Sequence, residues 1–188
     1  GPCVSASATA EQRLRDWLAE LEPQHAAAIE AQLVHPFAHA VLAGIAEFSP
    51  YLFELVRSDP ARLSRLLECD PDDRFAALLD DTWVALPAAS DEAEVMRQLR
   101  RMKSEAALLI ALCDIGGVWP VMRVTAALTD LAVSSVRMAL DHLLRQEAAR
   151  GRIVPENPDA PEQGCGLIVL AMGKMGAAEL NYSSDIDL

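Results

Sequence analysis

Apolar residues recur every three or four positions through most of residues 8–150, which is the spacing of one buried face on a helix. The pattern begins with Leu14, Trp17, Leu18 and Leu21. Prolines then divide the region at points where a helix can begin, because a first-turn proline removes no helical hydrogen bond: Pro23, Pro36, Pro50, Pro60 and Pro71. The sequence therefore predicts a succession of short helices, with Ser58 or Asp59 capping the one that begins near Pro60.

The most regular pattern lies between Ser90 and Gly117. Its apolar side chains follow a 4-3-4-3-4 spacing and form one stripe: Val95, Leu99, Met102, Ala106, Leu109 and Cys113. Ser90 is a suitable N-cap, and Gly116 or Gly117 can adopt the left-handed turn that ends a helix. We therefore expect one long helix here, with Cys113 as a small core residue.

Two further helices are expected before residue 151. Pro120 can open the first, and the second runs from about Leu131 to Gly151. In the second helix we expect an inward face of Val133, Val136, Leu140, Leu143 and Leu144. Its outward face is expected to carry Arg137, Asp141, Arg145 and Gln146.

The composition changes after residue 150. Prolines and acidic residues dominate 151–165, which predicts a Pro-rich linker between a helical region at 1–150 and a second domain at 166–188. The apolar run 167–172 is typical of a buried strand, and 183–188 can form another. The expected fold is mostly α, with an N-terminal helical region followed by the truncated start of an α/β domain.

Charge and composition exclude several classes of protein. The chain has 188 residues, 52% of them hydrophobic, with a net charge of −12, and so large a negative charge opposes binding to nucleic acid. No uncharged apolar run is long enough to span a membrane, and the first residues do not resemble a signal peptide. We therefore expect a cytoplasmic protein that binds neither nucleic acid nor membrane.

Most other candidate groups have an ordinary structural interpretation. The cysteines, which form no C-x-x-C pair, are expected to be reduced: Cys3, Cys69, Cys113 and Cys165. His35 and His39 have the spacing of two metal ligands on a helix, but no acidic ligand is nearby in sequence, so packed or surface histidines are favoured. A basic cluster is expected on a solvated helix face, with a docking surface for an acidic partner as the alternative: Arg97, Arg100, Arg101 and Lys103.

A glycine-rich turn follows the first predicted strand. Gly173, Lys174 and Gly176 lie in "MGKMG", where the missing side chains allow a phosphate to approach backbone N–H groups. The spacing is not that of a P-loop. By itself, the turn is weak evidence for a phosphate site, and a plain connection from a strand to a helix is favoured.

Two aspartates follow this turn. In a strand, Ser183, Asp185 and Asp187 would point to one face, and Ser184, Ile186 and Leu188 would point to the other, where the apolar pair could pack. Adjacent carboxylates repel one another unless a cation holds them, and Mg²⁺ shared with nucleotide phosphates does this well. The pattern alone is also compatible with a surface strand that carries incidental acidic residues.

Taken together, "GKMG" and "ELNYSSDIDL" resemble the nucleotidyltransferase signature of glutamine synthetase adenylyltransferases, the bifunctional adenylyl-transferring and adenylyl-removing enzymes. Upstream, "FSPYLFELVRSDP" and "LLIALCDIGGVW" are similar to the helical region before the first catalytic domain of this family. The residues at 181–184 are closer to the N-terminal, adenylyl-removing copy. The α/β segment is thus identified as the start of a nucleotidyltransferase domain. Ala177 and Ala178 depart from the family, which often has glycine there, and Met175 stands where the family usually has leucine.

The resemblance implies roles for particular residues. Asp185 and Asp187 would be catalytic and bind the metals of a two-Mg²⁺ site. The nucleotide phosphates of ATP or ADP would be surrounded by Gly173, Lys174, Gly176 and Ser183 or Ser184. The third carboxylate of the family lies on a later strand, so the chain is expected to be a fragment that is inactive alone and binds Mg²⁺–nucleotide weakly.

The implied function is control of nitrogen assimilation. The removing domain of the family phosphorolyses an adenylylated tyrosine on glutamine synthetase and releases ADP, and a PII-type nitrogen regulator acts through the full-length protein. Two alternatives stay open: a helical docking module for a protein partner, and a nucleotidyltransferase that acts on a small molecule. The long helical region disfavours the second alternative.

Overall fold

The computed structural model describes residues 7–89 and 91–188, and most of these residues are helical. Within this part of the chain the helices are α1 (Ala8–Glu20), α2 (Pro23–Leu33), α3 (Pro36–Phe48), α4 (Pro50–Ser58), α5 (Pro60–Glu68), α6 (Pro71–Ala85), α7 (Glu92–Ile115), α8 (Val121–Ala149) and α9 (Gly173–Gly176). A 3₁₀ turn at Leu86–Ala88 lies between α6 and α7. The expectation of a mostly α fold is confirmed.

The prolines act as helix starts, as the sequence predicted. Helices α2 to α6 each begin at one of the five prolines. Asp59, one of the two expected caps, accepts a hydrogen bond from the backbone N–H of Arg62 at 2.9 Å and is the N-cap of α5. Ser49 caps α4 in the same way through the N–H of Leu52. In α4 and α5 a short polar side chain thus caps the helix just before its proline, whereas α2 and α3 begin at proline without a side-chain cap.

Helix α7 matches its predicted stripe. Leu99 is half-buried, and the other five stripe residues are buried, including Cys113 at 4% exposure. Ser90, the expected N-cap, lies outside the described residues. The carboxylate of Asp91 accepts a hydrogen bond from the N–H of Glu94 at 2.8 Å. At the other end, Gly117 has φ +63° and supplies the predicted left-handed turn.

Helix α8 is one continuous helix of 29 residues, so the prediction of two helices in this region was wrong. Neither glycine nor proline occurs within it. Its Ser and Thr residues form hydrogen bonds to carbonyls one turn earlier and so remain compatible with the helix. Thr129 Oγ1 donates to the carbonyl of Thr125 at 2.9 Å, and Ser135 Oγ to that of Leu131 at 2.7 Å.

The expected faces of α8 are also wrong near its C-terminus. Asp141 was expected outside and is buried at 7% exposure, whereas Leu143 was expected inside and is 52% exposed. The carboxylate of Asp141 accepts a hydrogen bond from Arg145 Nε at 2.7 Å. The guanidinium of Arg145 in turn donates to the carbonyls of Pro158 and Asp159, at 3.2 and 2.6 Å. The loop that follows α8 thus interacts with its polar face.

Residues 151–165 form turns and bends, and their role as a linker stays a prediction. The segment is nevertheless partly packed, since Pro161 is fully buried. Gly151 has φ +69°, which ends α8 with the N–H of Arg152 bonded to the carbonyl of Glu147.

The two predicted strands are absent from the described residues. The run 167–172 was expected to be a buried strand, but it has no regular secondary structure, and Leu167 to Leu170 are each at least 43% exposed. Residues 183–188 also lack strand structure. A strand requires hydrogen-bonded neighbours, and even a two-stranded pair is marginal alone. Among the described residues, the only backbone hydrogen bond between the two segments runs from the N–H of Met172 to the carbonyl of Asp187, at 2.9 Å.

The described chain divides into two compact units. The first contains residues 7–75 and 104–120. In it, α3 packs against α1, α2 and α4, and α5 packs against α2 and α4. Its fully buried side chains include Leu14, Ile29, Leu42, Ile45 and Leu63. Glu105, buried at 9% exposure, receives a hydrogen bond from Arg74 Nε at 2.7 Å, so its charge is compensated.

The second unit contains residues 76–103 and 121–188. Its longest element is α8, which contacts the 3₁₀ turn. The guanidinium of Arg137 lies 5.5 Å from the ring centroid of Trp83. Buried apolar side chains of this unit include Leu86, Met102, Val124, Ala127 and Met138.

The prediction of reduced cysteines is confirmed for the three cysteines that the structure describes. Cys69, Cys113 and Cys165 are free thiols, and Cys3 lies outside the described residues. Burial raises the pKa of the Cys69 thiol, which makes it a weak nucleophile near neutral pH. No helix in the described part of the chain is both long enough and apolar enough to cross a membrane.

Two methionines of α7 provide a matched test of this core. Met102 is 1% exposed and Met96 is 43% exposed. We expect Met102→Ala to lower the free energy of unfolding by about 2–4 kcal/mol, because it leaves a cavity. Met96→Ala should change it by less than about 0.5 kcal/mol. Urea denaturation followed by circular dichroism measures both values, and equal losses would contradict the burial pattern of α7.

Candidate functional site

The glycine turn and the second predicted strand meet at Gly173 and Asp187. Gly173 has φ +52°, and a Cβ on it would lie 3.2 Å from Asp187 Oδ2. A backbone hydrogen bond from the N–H of Met172 to the carbonyl of Asp187 joins the two segments at the same position. The structure therefore brings one of the two predicted aspartates to the start of the predicted phosphate turn. Glycine suits this position both for its backbone conformation and for the close approach.

The second glycine of the turn is required for a different reason. A Cβ on Gly176 would overlap the carbonyl oxygen of Ala171, so any other residue would force the turn apart. Between the two glycines, Lys174 lies in the single turn α9, and its carbonyl accepts the N–H of Glu179 at 2.8 Å. The turn is thus closed by its own backbone, with the side chain of Lys174 outside these bonds.

At the end of α9, an alanine adopts the left-handed backbone conformation that favours glycine. Ala178 has φ +58°, and its N–H donates to the carbonyl of Met175 at 3.1 Å. Together with the bond between Glu179 and Lys174, this is a Schellman arrangement, whose left-handed position favours glycine. Ala177, by contrast, has an ordinary φ of −84°. Of the two departures from the family pattern, only Ala178 stores backbone strain.

Helix α8 supports the turn through a small apolar cluster. Met175 and Leu180, each 5% exposed, pack with Ala132 of α8, and the cluster is completed by Leu128, Val133 and Val136. The N–H of Leu180 also lies 3.4 Å from Thr129 Oγ1, which is buried. The sequence analysis placed Val133 and Val136 on an inward face but did not connect α8 with the glycine turn. The available signal was that Met175 and Leu180 are the only large apolar side chains between Gly173 and Asn181.

Asn181 organises the serines that precede the aspartates. Its Oδ1 accepts hydrogen bonds from the backbone N–H and the hydroxyl of Ser183, both at 3.1 Å, and from the hydroxyl of Ser184 at 2.9 Å. The N–H of Ser184 donates to the carbonyl of Asn181. This is an Asx-type turn, so the alternating strand pattern expected from Ser183 onward does not form there.

The aspartates themselves are exposed. Asp185 and Asp187 both lie on the surface, and Ile186 and Leu188 are 49% and 59% exposed rather than packed as predicted. Within the described residues, no group of three or more His, Cys, Asp and Glu side chains is placed to hold a metal ion. Two carboxylates are the right donor type for Mg²⁺, and they leave coordination positions for water and phosphate oxygens. The donor set therefore fits Mg²⁺ in its chemistry and supplies part of a ligand shell.

The other candidate groups lie elsewhere, and two of them, His39 and Arg97, interact with acidic side chains. His35 is at the N-cap of α3, and His39 Nε2 lies 3.3 Å from Glu11 Oε2. In the basic cluster, the hydrogen bond from Arg97 holds the pKa of the Glu94 carboxyl below its usual value. The remaining basic residues are exposed, as predicted for a solvated face: Arg100, Arg101 and Lys103.

Glycine substitutions at the turn can test the backbone strain at Ala178. We expect Ala178→Gly to stabilise the turn by about 0.5–1 kcal/mol, because it removes the left-handed strain. Ala177→Gly should destabilise it by a similar amount, since glycine only adds flexibility at an ordinary φ. Hydrogen exchange at the N–H groups of residues 178 and 179 reports both effects. Changes of the same sign in the two variants would contradict this conformation.

A second pair of variants tests the support from α8. Leu180→Ala should expose the turn, so that trypsin cleaves after Lys174 at least about tenfold faster, because a buried leucine contributes roughly 2 kcal/mol or more. Ile186→Ala removes a comparable side chain that is half exposed and should leave the rate unchanged. Mass spectrometry of the cleavage products gives the two rates. Equal acceleration would show that the cluster does not hold the turn.

Comparison with known proteins identifies the family. Residues 39–188 match the family model described as glutamate-ammonia ligase adenylyltransferase. The chain is 72% identical over 187 residues to the bifunctional glutamine synthetase adenylyltransferase/adenylyl-removing enzyme of Bradyrhizobium diazoefficiens. It is 51% identical over 188 residues to the protein of the same name from Xanthobacter autotrophicus.

Both alignments include 100% of this chain and 19% of the relative, so the chain spans a minor part of the length of these proteins. No solved structure matches it significantly. The family model nevertheless includes the last helices and the complete segment from Gly173 to Asp187. The resemblance drawn from "ELNYSSDIDL" is therefore confirmed: the chain belongs to the glutamate-ammonia ligase adenylyltransferase family.

Proposed function

We propose that this chain is part of an enzyme that reversibly adenylylates glutamine synthetase on a tyrosine, and that it belongs to the half that removes AMP. Its relatives carry names that state both adenylyl transfer and adenylyl removal. The similarity of residues 181–184 to the adenylyl-removing copy favours that half. The observation that supports the proposal is the close approach of Asp187 Oδ2 to Gly173, because a carboxylate then lies beside the glycine turn that we propose binds phosphate.

In the proposed reaction, an oxygen of inorganic phosphate attacks the phosphorus of the AMP group. The bond between that phosphorus and the tyrosine oxygen breaks, and the products are ADP and the free tyrosine. Asp185 and Asp187 would hold Mg²⁺, which neutralises phosphate charge and stabilises the departing oxygen when it is bound. The residues of this chain contribute orientation and charge, which are the main protein terms in phosphoryl chemistry.

Each residue of the turn has a distinct part in this proposal. Gly173 and Gly176 allow the tight turn, with its close approach to Asp187 and to the carbonyl of Ala171. Lys174 supplies a cation whose side chain is not used to close the turn. Ser183 and Ser184 would approach the nucleotide from the Asn181 turn, which fixes their hydroxyls. Asp187 is placed by the backbone bond to Met172, and Asp185 lies two residues earlier on the exposed segment.

Other molecules take part in the proposed reaction. Glutamine synthetase is the protein substrate, ATP and ADP are the nucleotides, and a PII-type nitrogen regulator acts through the full-length protein. We place the enzyme in the cytoplasm, where these partners would meet. The first unit of α1–α5 has no part in the chemistry proposed here.

The catalytic assignment can be tested in an enzyme that carries this sequence and has the full length of its relatives. Conservative changes are made at the two aspartates. Asp185→Asn and Asp187→Asn should each lower phosphorolytic removal of AMP at least about 100-fold, because the lost charge weakens metal binding worth several kcal/mol. Adenylyl addition to glutamine synthetase should be retained. Release of radiolabelled ADP from adenylylated glutamine synthetase measures removal, and incorporation of labelled AMP measures addition.

The exposed Asp130 of α8 provides the matched control, and Asp130→Asn should leave both reactions unchanged. Loss of addition together with retention of removal would place this chain in the adenylyl-adding half. Normal activity of both aspartate variants would sink the catalytic assignment. The 188-residue chain alone is expected to be inactive, and measurable removal by it would contradict the incomplete ligand shell.

A further inference from the structure

A groove of about 510 Å³ lies in the first unit, lined by α1, α3 and α4, and it contains none of the residues discussed for catalysis. Aromatic rings form its floor: the ring centroids of Trp17 and Phe53 are 6.2 Å apart in an edge-to-face arrangement at 71°. Three carboxylates lie around these rings, on Asp16, Glu20 and Glu54. An aromatic floor with an acidic rim is the combination that attracts an organic cation.

The guanidinium of Arg57 already lies near an aromatic ring and a carboxylate of the groove. The guanidinium carbon of Arg57 lies 6.0 Å from the centroid of Phe53, and its Nη2 is 4.0 Å from Glu20 Oε2. The side chains of this ion pair are 47% and 69% exposed, so the pair is solvated and contributes little. The groove thus offers suitable partners to a guanidinium but holds its own loosely.

The remaining charges leave carboxylate capacity in the groove. Arg13 directs its guanidinium to the carbonyl of Ala46 at 3.0 Å. Glu54 makes no salt bridge to any residue that the structure describes. The net charge of −12 adds a long-range field that draws cations toward the surface.

We propose that this groove docks an arginine side chain of a partner polypeptide. The incoming guanidinium replaces Arg57 over the Phe53 ring and forms ion pairs with Glu20 and Glu54. The exposed rim leaves space for peptide backbone on either side of the side chain, as expected for an arginine anchor at a protein interface. This inference does not depend on the proposed adenylyl-removing activity.

The test uses the complete 188-residue chain and the peptide N-acetyl-Gly-Arg-Gly amide. Binding is followed by the NMR shift of the Trp17 indole N–H, assigned with the variant Trp17→Phe. The arginine peptide should bind at least about fivefold more tightly than its glutamine counterpart, given one cation–π contact and two exposed ion pairs. Equal binding of the two peptides, or shifts confined to Trp83 and Trp119, would overturn the proposal.

Variants of the groove sharpen the result. Glu20→Gln combined with Glu54→Gln should weaken binding about fivefold. Arg57→Gln should strengthen it about threefold, because it removes the internal competitor. Arg15→Gln changes an exposed arginine of α1 outside the groove, bonded to Gln12, and should have no effect. If Arg57→Gln weakens binding or leaves it unchanged, Arg57 is not a competitor and the proposal fails.

A free cation distinguishes a docking surface from a small-molecule site. Agmatine carries the same guanidinium on an alkyl chain without peptide backbone. It should bind more weakly than the arginine peptide, because it lacks the flanking contacts along the rim. If agmatine binds as tightly as the peptide, the groove is a site for small cations and not for a partner polypeptide. The substitutions at Arg15, Glu20, Glu54 and Arg57 are on exposed side chains, whereas Trp17 is buried and its variant serves only for assignment. Unchanged dispersion of the other amide signals confirms that each variant is folded.

Discussion

Burial of Met175 and Leu180 against α8 is the interaction on which the candidate site depends. Helix α9 is a single turn of four residues, and a helix of that length has no stability of its own in water. Two buried apolar side chains contribute roughly 1.5–3 kcal/mol each, which exceeds the cost of the left-handed Ala178. The turn, the Asx arrangement at Asn181 and the position of Asp187 all follow from this support. The uninterrupted length of α8 is thus a requirement of the site as much as of the core.

Local rules predicted the helical part of the fold well. The prolines of α2 to α6 and the stripe of α7 are decided within one or two turns of sequence, so they could be found without knowledge of tertiary contacts. The continuity of α8 was not predicted, although neither glycine nor proline interrupts it. The hydroxyls of Thr129 and Ser135 bond to carbonyls one turn earlier within the unbroken helix. The strands failed for a different reason: their stability depends on neighbours that local sequence does not contain.

The residues of the candidate site also divide into those that the local sequence could predict and those that depend on tertiary contacts. Spacing alone selected Gly173, Gly176, Asp185 and Asp187, because backbone conformation and carboxylate chemistry are properties of the residues themselves. Thr129 lies 51 residues from Leu180 in sequence, and nothing in the pattern connects them. The serines illustrate an intermediate case. Their hydroxyls already bond to Asn181, so a phosphate would have to exchange hydrogen bonds with them rather than gain new ones, a difference of about 1 kcal/mol for each bond.

The hydrogen bonds from Arg145 to the carbonyls of Pro158 and Asp159 have a consequence for the evolution of the chain. They divide the connection between α8 and the glycine turn into two shorter loops, each closed at a fixed point. Loop-closure entropy grows slowly with length, so residues can be inserted between Gly151 and Pro158 at little cost. Insertions after Asp159 would instead change the length of chain that delivers Gly173 to α8. Length variation among homologues should therefore concentrate before this pinned point.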